Sequence, residues 1–387
     1  MKIAILIDEL ISGGFQKVAI METKYFRKMG YNATLVVLRR NKKPGYHDLL
    51  NENKIRTIYL SDRLPWYYKF NFKFPLFSFF SFFHVFYYFI IYKFIKNQEF
   101  DVFITHGTYT AFSSISIWRK KHIPYICFIH DSIIYILNQK YGTKVLGKFL
   151  PFLTPIANKL DGEIINNSKT ILAFPNMISE MKKNFPRYEK YHPVYNGCEV
   201  IDLSQVKYNK ENYAIAVTKW DEGKNFQFLI DMWTQLNNKI KIKIIGAFYP
   251  VELREEYQTL IFKNRLEKWI ELIGPVNEED LGKYYQNALF LVHPCREAFG
   301  MTILEAAASG CPSIFTINSG VADLFPQSIK TKLPQENNIN DYMFSINYIL
   351  NLKTTEYNDL MNVYYNVALQ NSWENHCKDI IKLFETI

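Results

Sequence analysis

The sequence predicts an α/β protein made of two Rossmann-like halves, and three observations carry that expectation. First, short apolar runs alternate with helical patterns along the chain: KIAILI at 2–7, ATLVVL at 33–38, FDVFIT at 100–105, YICFI at 125–129, YAIAV at 213–217, IKIKII at 240–245 and ALFLV at 288–292. Such runs read as strands buried on both faces of a parallel sheet. Second, the charge divides. Residues 1–195 carry 28 Lys/Arg against 13 Asp/Glu, which leaves +15; the remaining 18 against 24 leave −6. Third, Tyr195-Asn196-Gly197 stands where the sign changes, and Asn-Gly supplies a turn. A length of 387 residues allows each half its own core.

The elements follow in order. Met1–Leu10 reads as a first strand and not as a leader, because Asp8 and Glu9 follow the apolar run at once. A loop with Gly13-Gly14-Phe15 leads to a helix over 18–29, with Gly30 as its stop. Gly13 and Gly14 do not form a GxGxxG fingerprint; by themselves they read as a tight turn. His106-Gly107-Thr108 ends one strand, and His130-Asp131 follows another. Strand ends of open α/β sheets gather ligand-facing residues. His130 is therefore read as a donor to a sugar hydroxyl or a phosphate, or else as a neighbour of a helix cap at Asp131. The five Cys show no CxxC pair and no metal-ligand spacing, so reduced thiols in a cytosolic protein are expected.

Residues 63–97 hold an unusual concentration of aromatic rings, and Phe74–Tyr92 is a 19-residue run without Asp, Glu, Lys or Arg. Its length suits a membrane span. The strand at 100–105 argues against one, because strands of one sheet would then lie on opposite sides of a bilayer. With Trp66, Tyr67, Tyr68, Lys69, Lys73, Lys93 and Lys96 at its flanks, the segment is expected to lie in a membrane surface, the alternative being core or oligomer packing. The contiguous aromatic run, not interleaved with Arg, argues against a nucleic-acid partner.

The densest stretch is HPCREAFGMTILEAAASGCPSIFTINSGV, His293 to Val321. A strand end, a loop carrying Glu297 and Gly300, and a helix start near Ile303 follow one another. The start of a helix presents unpaired amides and a positive dipole end, a ready anion site. Glu305, expected in the first turn, suits a ribose diol, and Glu297 suits sugar hydroxyls. In the preceding strand–loop–helix, Lys219 and Lys224 stand five residues apart before a helix at 226–233. They read as a diphosphate clamp or as two solvated lysines.

Glu297 and Glu305, within REAFGMTILEAAASGCP, resemble the Glu-x7-Glu signature of the retaining GT-B glycosyltransferases of the family 4 type. The family form is close to EGFGLPxLEAMAxGxPV, and Met301-Thr302 replace its Leu-Pro. The resemblance continues elsewhere. Lys224 matches the Lys of GRLxxxKN, while Thr218 and Lys219 stand where Gly and Arg are usual; Arg is bidentate and Lys is a point charge. Ile240–Gly246 resembles LxIxGxG, and Ile270–Gly274 resembles a strand whose loop reads the base. Lys159–Ile165 resembles a strand and helix start ending at a Ser, here Ser168, and Ser372-Trp373 resembles the opening of a terminal helix. Asp323 follows Ser319-Gly320-Val321, where the family carries a glycine pair before an acidic residue.

What the resemblance implies is specific. Two Rossmann-like domains would face a central cleft: 1–196 for the acceptor, with the aromatic segment 63–97; 197–371 for the donor; and a terminal helix, 372–387, crossing back to the first. Gly13 and Gly14 would approach the donor diphosphate or the acceptor. Lys219, Lys224 and the Gly300 and Met301 amides would hold the diphosphate. Gly274, Phe299, Thr302 and Glu305 would complete the nucleotide site, with Glu297 and His130 on the sugar. The implied reaction is glycosyl transfer from a nucleotide-diphosphate sugar, UDP or GDP, to a glycan or lipid-linked acceptor, with retention, in cell-surface polysaccharide synthesis. No DxD-type motif stands in a suitable loop, so no metal and no cofactor are expected. The expected location is cytoplasmic, peripheral on the inner face of the membrane. Two alternatives stay open: a non-catalytic nucleotide-sugar-binding subunit of a membrane assembly, and a sugar-nucleotide epimerase of the same architecture.

Overall fold

The structure, a computed structural model, describes residues 1–10, 13–40, 46–63, 99–130, 148, 150–184, 188–237 and 239–385. The aromatic segment beyond Arg63 and Asp131 lie outside the described residues. The chain divides into two compact units, Met1–Tyr195 with His376–Ile387, and Asn196–Asn375.

The first unit is a seven-stranded parallel sheet: β1 (Lys2–Glu9), β2 (Asn32–Arg39), β3 (Thr57–Tyr59), β4 (Val102–His106), β5 (Tyr125–Phe128), β6 (Thr170–Ala173) and β7 (Tyr191–Pro193). Their order is β3-β2-β1-β4-β5-β6-β7, with Ile3 of β1 opposite Ala33 and Val102. Ile3 to Ile7 are all fully buried, as a central strand covered on both faces requires. Helices α1 (Gly14–Lys28), α2 (His47–Glu52), α3 (Thr108–Lys121), α4 (Leu150–Asn167) and α5 (Pro175–Asn184) connect the strands. In α1, Val18, Glu22 and Phe26 share a buried stripe at four-residue spacing, and Arg27 and Lys28 sit favourably at its C-terminal end.

The second unit repeats the plan with five parallel strands. They are β8 (Glu211–Val217), β9 (Lys241–Ile245), β10 (Ile270–Gly274), β11 (Ala288–His293) and β12 (Ser313–Phe315), in the order β10-β9-β8-β11-β12. The helices are α6 (Phe226–Gln235), α7 (Leu253–Lys263), α8 (Glu278–Asn287), α9 (Met301–Ala308), α10 (Gln327–Lys330), α11 (Ile339–Leu350), α12 (Thr354–Gln370) and α13 (Trp373–Glu385). The unit boundary cuts α13 between Asn375 and His376. Its buried indoles are satisfied: Trp220 Nε1 donates to the Ile245 carbonyl at 3.0 Å and Trp233 Nε1 to that of Ile240 at 2.9 Å. Asn277 caps α8 by accepting from the Asp280 amide, and Ser372 accepts from the Asn375 amide at the start of α13. Among the described residues no helix is long and apolar enough to cross a membrane.

Three local expectations change. Lys159–Ile165, expected as a strand and helix start, is the C-terminal part of α4. Its buried residues Ala157, Asp161, Ile164 and Ile165 fall at helical spacing, and Ser168 follows the helix instead of capping one. α9 begins at Met301, two residues before the expected start, so Glu305 lies beyond its first turn. α1 likewise begins at Gly14, four residues early.

Both sheets reverse their strand order at one place, between β1 and β4 and between β8 and β11. Loops leaving the carboxyl ends of such strands diverge and leave a crevice. Gly246, just past β9, has φ +123° and its amide donates to the Gly274 carbonyl at 2.8 Å. A side chain there would run into the Thr218 carbonyl, at the carboxyl end of β8. The Gly246→Ala variant should therefore lower the melting temperature of the second unit and weaken any ligand bound at these loops. An unchanged melting curve would count against this close approach.

Candidate functional site

An ion pair joins the loops that leave β8 and β11 in the second unit. Lys224, in the loop after β8, places Nζ 2.5 Å from Oε1 of Glu297, in the loop after β11. The bond spans the reversal point. Both side chains are about a quarter exposed, 21% and 26%. Burial works against the Lys224 charge, but Glu297 outweighs it and raises the pKa, so the ammonium stays protonated. Glu297 is held from behind: its amide donates to Ser319 Oγ at 3.2 Å, and its carbonyl accepts from the Gly320 amide at 3.2 Å. The Phe299 carbonyl accepts from Val321 at 2.8 Å. Gly320 allows this pairing, because a side chain there would strike the Ala298 carbonyl.

Gly300 precedes α9 with φ +108°, a conformation that favours glycine. Its carbonyl takes the amides of Ile303 and Leu304. The Met301 and Thr302 amides have no backbone partner among the described residues, so they are the free donors of this helix start. Glu305 lies one turn further in and is half-buried. After burial itself, its charge contributes to pushing the Tyr285 phenol and the Cys198 thiol upward. Gly274 turns at the end of β10 with φ +94°. Lys219 is exposed, with Nζ 4.6 Å from the centroid of the Tyr249 ring. The two lysines expected to act together thus have different partners: Lys224 a carboxylate, Lys219 an aromatic face.

His293, Cys295 and Glu297 are the one metal-capable grouping among the described residues. His293 Nδ1 lies 3.0 Å from the Cys295 carbonyl and so carries the proton. Burial lowers the His293 pKa despite Glu297, so its 3.4 Å approach to that carboxylate is a contact of a neutral ring. The Lys224 ammonium already neutralises Glu297.

In the first unit, the expected residues also converge. Phe15, next to Gly13 and Gly14, lies 5.6 Å from the His130 ring between centroids; Phe128 stacks on His130 at 4.2 Å. Gly13 leaves room for Gln16, whose buried Oε1 has no partner among the described residues. Behind His130 stands a group that sequence reasoning passed over. The Glu22 carboxylate, fully buried, binds His106 Nε2 at 2.8 Å through Oε2 and His376 Nε2 at 2.9 Å through Oε1. Burial would raise the Glu22 pKa, but the two imidazoles outweigh it and bring it to about 2. The sequence signal was a lone carboxylate on the apolar stripe of α1.

Two family models match the chain. "Glycosyl transferases group 1" covers residues 199–365 and "Glycosyltransferase Family 4" residues 12–200. The N-acetylgalactosamine-N,N'-diacetylbacillosaminyl-diphospho-undecaprenol 4-alpha-N-acetylgalactosaminyltransferase of Campylobacter jejuni is 25% identical over 232 residues. That alignment covers 58% of this chain and 59% of the relative. Among solved structures, Anabaena Alr3699/HepE in complex with UDP superposes with TM-score 0.74 at 15% identity, over 100% of both chains. The apo form of the lipopolysaccharide outer core galactosyltransferase WaaB gives 0.70 at 16% identity, over 100% of this chain and 99% of that one. At these identities the structural likeness is one of fold. With one family model on each unit and the same parallel topology in both, the chain belongs to the GT-B glycosyltransferases of the family 4 type.

Proposed function

We propose that this protein transfers a sugar from a nucleotide-diphosphate sugar to a glycan or lipid-linked acceptor, with retention at the anomeric carbon. The observation that carries this reading is the Lys224–Glu297 bridge across the β8/β11 reversal, beside the open start of α9. The bridge holds a protonated ammonium on Glu297, in the loop that leads to Met301 and Thr302, whose amides have no backbone partner among the described residues. Cleavage of the anomeric bond leaves negative charge on the departing diphosphate. Fixed donors placed where that charge grows stabilise the transition state more than the ground state. In this reading Lys224 and the two amides hold the diphosphate, and Lys219 swings from Tyr249 to join them. Glu305 accepts from the ribose hydroxyls, and Glu297 accepts from sugar hydroxyls. With this cationic set present, no metal takes part.

UDP is the favoured donor nucleotide, since it is bound in the Anabaena structure that shares the fold. A lipid-linked acceptor is favoured by the Campylobacter relative, whose name specifies a diphospho-undecaprenol substrate. A membrane-surface location fits the basic first half. It also fits Phe152 and Ile156, 75% and 49% exposed and four residues apart on α4. The proposed location is the inner face of the cytoplasmic membrane, and the proposed role is in cell-surface polysaccharide synthesis.

Three outcomes test the proposal. In a thermal-shift panel of UDP, GDP, ADP and CDP, one nucleotide at 100 times its Kd should stabilise by about 2.7 kcal/mol. The shift should vanish in Glu305→Ala; no shift with any nucleotide would sink the site assignment. The Lys224→Ala variant should lose activity on the order of 100- to 1,000-fold in kcat, with Lys219→Ala losing less, and EDTA should leave wild-type turnover intact. Turnover that vanishes in EDTA and returns only with Mg²⁺ or Mn²⁺ would overturn metal independence. The protein should co-sediment with anionic vesicles at low salt and be released from them at high salt; equal partition with neutral vesicles would remove the electrostatic part of the membrane reading.

A further inference from the structure

Four side chains from different elements of the first unit form a hydrogen-bonded chain: His376 of α13, Glu22 of α1, His106 at the end of β4, and His130 just after β5. His376 Nδ1 lies 2.7 Å from the Tyr195 carbonyl, and its Nε2 lies 2.9 Å from Glu22 Oε1. Both partners are acceptors, so both nitrogens of His376 carry protons and the ring is an imidazolium. It balances the Glu22 charge. Glu22 Oε2 then accepts from His106 Nε2 at 2.8 Å. A His106 that donates through Nε2 and bears no net charge has its lone pair on Nδ1. That Nδ1 stands 3.1 Å from His130 Nε2, which must therefore donate to it.

The competing arrangement would have His106 donate through Nδ1 as well. That sets two imidazoliums against one carboxylate, in a pocket bounded by Phe128 and Phe174. Excess charge in such surroundings is disfavoured. The His130 ring agrees. Burial depresses its pKa well below the ordinary histidine value. A neutral ring carries one proton, and the chain places it on Nε2.

We propose that Glu22 and His106 are positioning residues that lock His130 as the Nε2–H tautomer, so that its Nδ1 accepts a hydrogen bond from a sugar hydroxyl and does not donate to phosphate. The ligand named here rests on the glycosyltransferase reading; the tautomer does not. Sequence alone left both partners open for His130. The relay separates them, because a lone pair aimed at a diphosphate oxygen repels it, whereas a hydroxyl supplies the proton that Nδ1 lacks.

The test is a long-range ¹H–¹⁵N correlation spectrum of the ligand-free, full-length protein with ¹⁵N-labelled histidine, at neutral pH. His130 is assigned by its loss in His130→Gln. A pyrrole-type Nε2 with a pyridine-type Nδ1 is expected; the reverse pattern overturns the proposal on wild-type protein, whatever any variant does. The His106→Phe variant keeps a ring against Phe128 but removes the acceptor. It should give a mixture of His130 tautomers and a roughly ten-fold rise in KM for the donor sugar nucleotide, with affinity for free UDP unchanged. The His106→Asn variant returns an acceptor near the place of Nδ1 and should restore one tautomer. A folded His106→Phe protein with the wild-type tautomer and KM would refute the relay. The stated tautomer in a protein that binds no nucleotide sugar would leave the relay standing and remove the glycosyltransferase reading.

Discussion

Parallel pairing is the constraint on which the rest of this molecule depends. Every strand in each sheet runs the same way, so every strand ends at one edge and every helix returns to the other. Chemistry then concentrates at that edge, and within it at the one place where the strand order reverses. The ion pair of Lys224 and Glu297 joins the loops that leave β8 and β11. The cluster of Glu22, His106 and His130 gathers where β1, β4 and β5 end, with α1 beginning beside it. The proposed site residues need no special scaffold; they occupy positions the topology leaves open.

Glycines let those loops come close enough to matter. Gly246 brings the β9 turn against the Thr218 carbonyl, and Gly320 brings the following segment against Ala298. Gly300 takes a left-handed conformation at the start of α9, where the amides of Met301 and Thr302 have no backbone partners among the described residues. Backbone groups used this way leave little trace in side-chain chemistry. That explains how Met301-Thr302 can stand where the family usually has Leu-Pro. It does not cover Lys219, whose side chain would be the working part on the proposed function and whose ammonium lacks the fork of an arginine.

Much of this was legible in the sequence. The buried strands announced themselves because a parallel sheet leaves no polar face, and the stretch from His293 to Val321 carried its strand, loop and helix in order. What was misread had physical reasons. Lys159–Ile165 has two adjacent isoleucines, which suit a strand; the helix is visible only when Ala157 and Asp161 are counted with them. The start of α9 was placed late because Gly300-Met301-Thr302 has no capping side chain, only a backbone turn. The Glu22 cluster was the least legible. His376 is 354 residues from Glu22, and no local pattern pairs a helix interior with a chain end. The one clue was a carboxylate among Val18 and Phe26, a position where an ionised group demands a partner.

The two carboxylate sites solve the same problem in opposite ways, and the difference assigns their roles. Glu297 is a quarter exposed and shares one lysine. Its bond is of a kind that solvent already weakens, so an arriving diphosphate can draw the ammonium away at modest cost. Glu22 has no solvent, and its two oxygens are both committed to imidazoles. Removing His376, its counter-charge, would leave a buried charge unpaired, at a cost on the order of 3–5 kcal/mol. A group so committed does not exchange partners during turnover. It holds shape and proton placement fixed, and what it holds is the imidazole chain that ends at His130. On the proposed function the labile pair would belong to the chemistry, and the rigid one would set which atom of His130 is offered to the substrate.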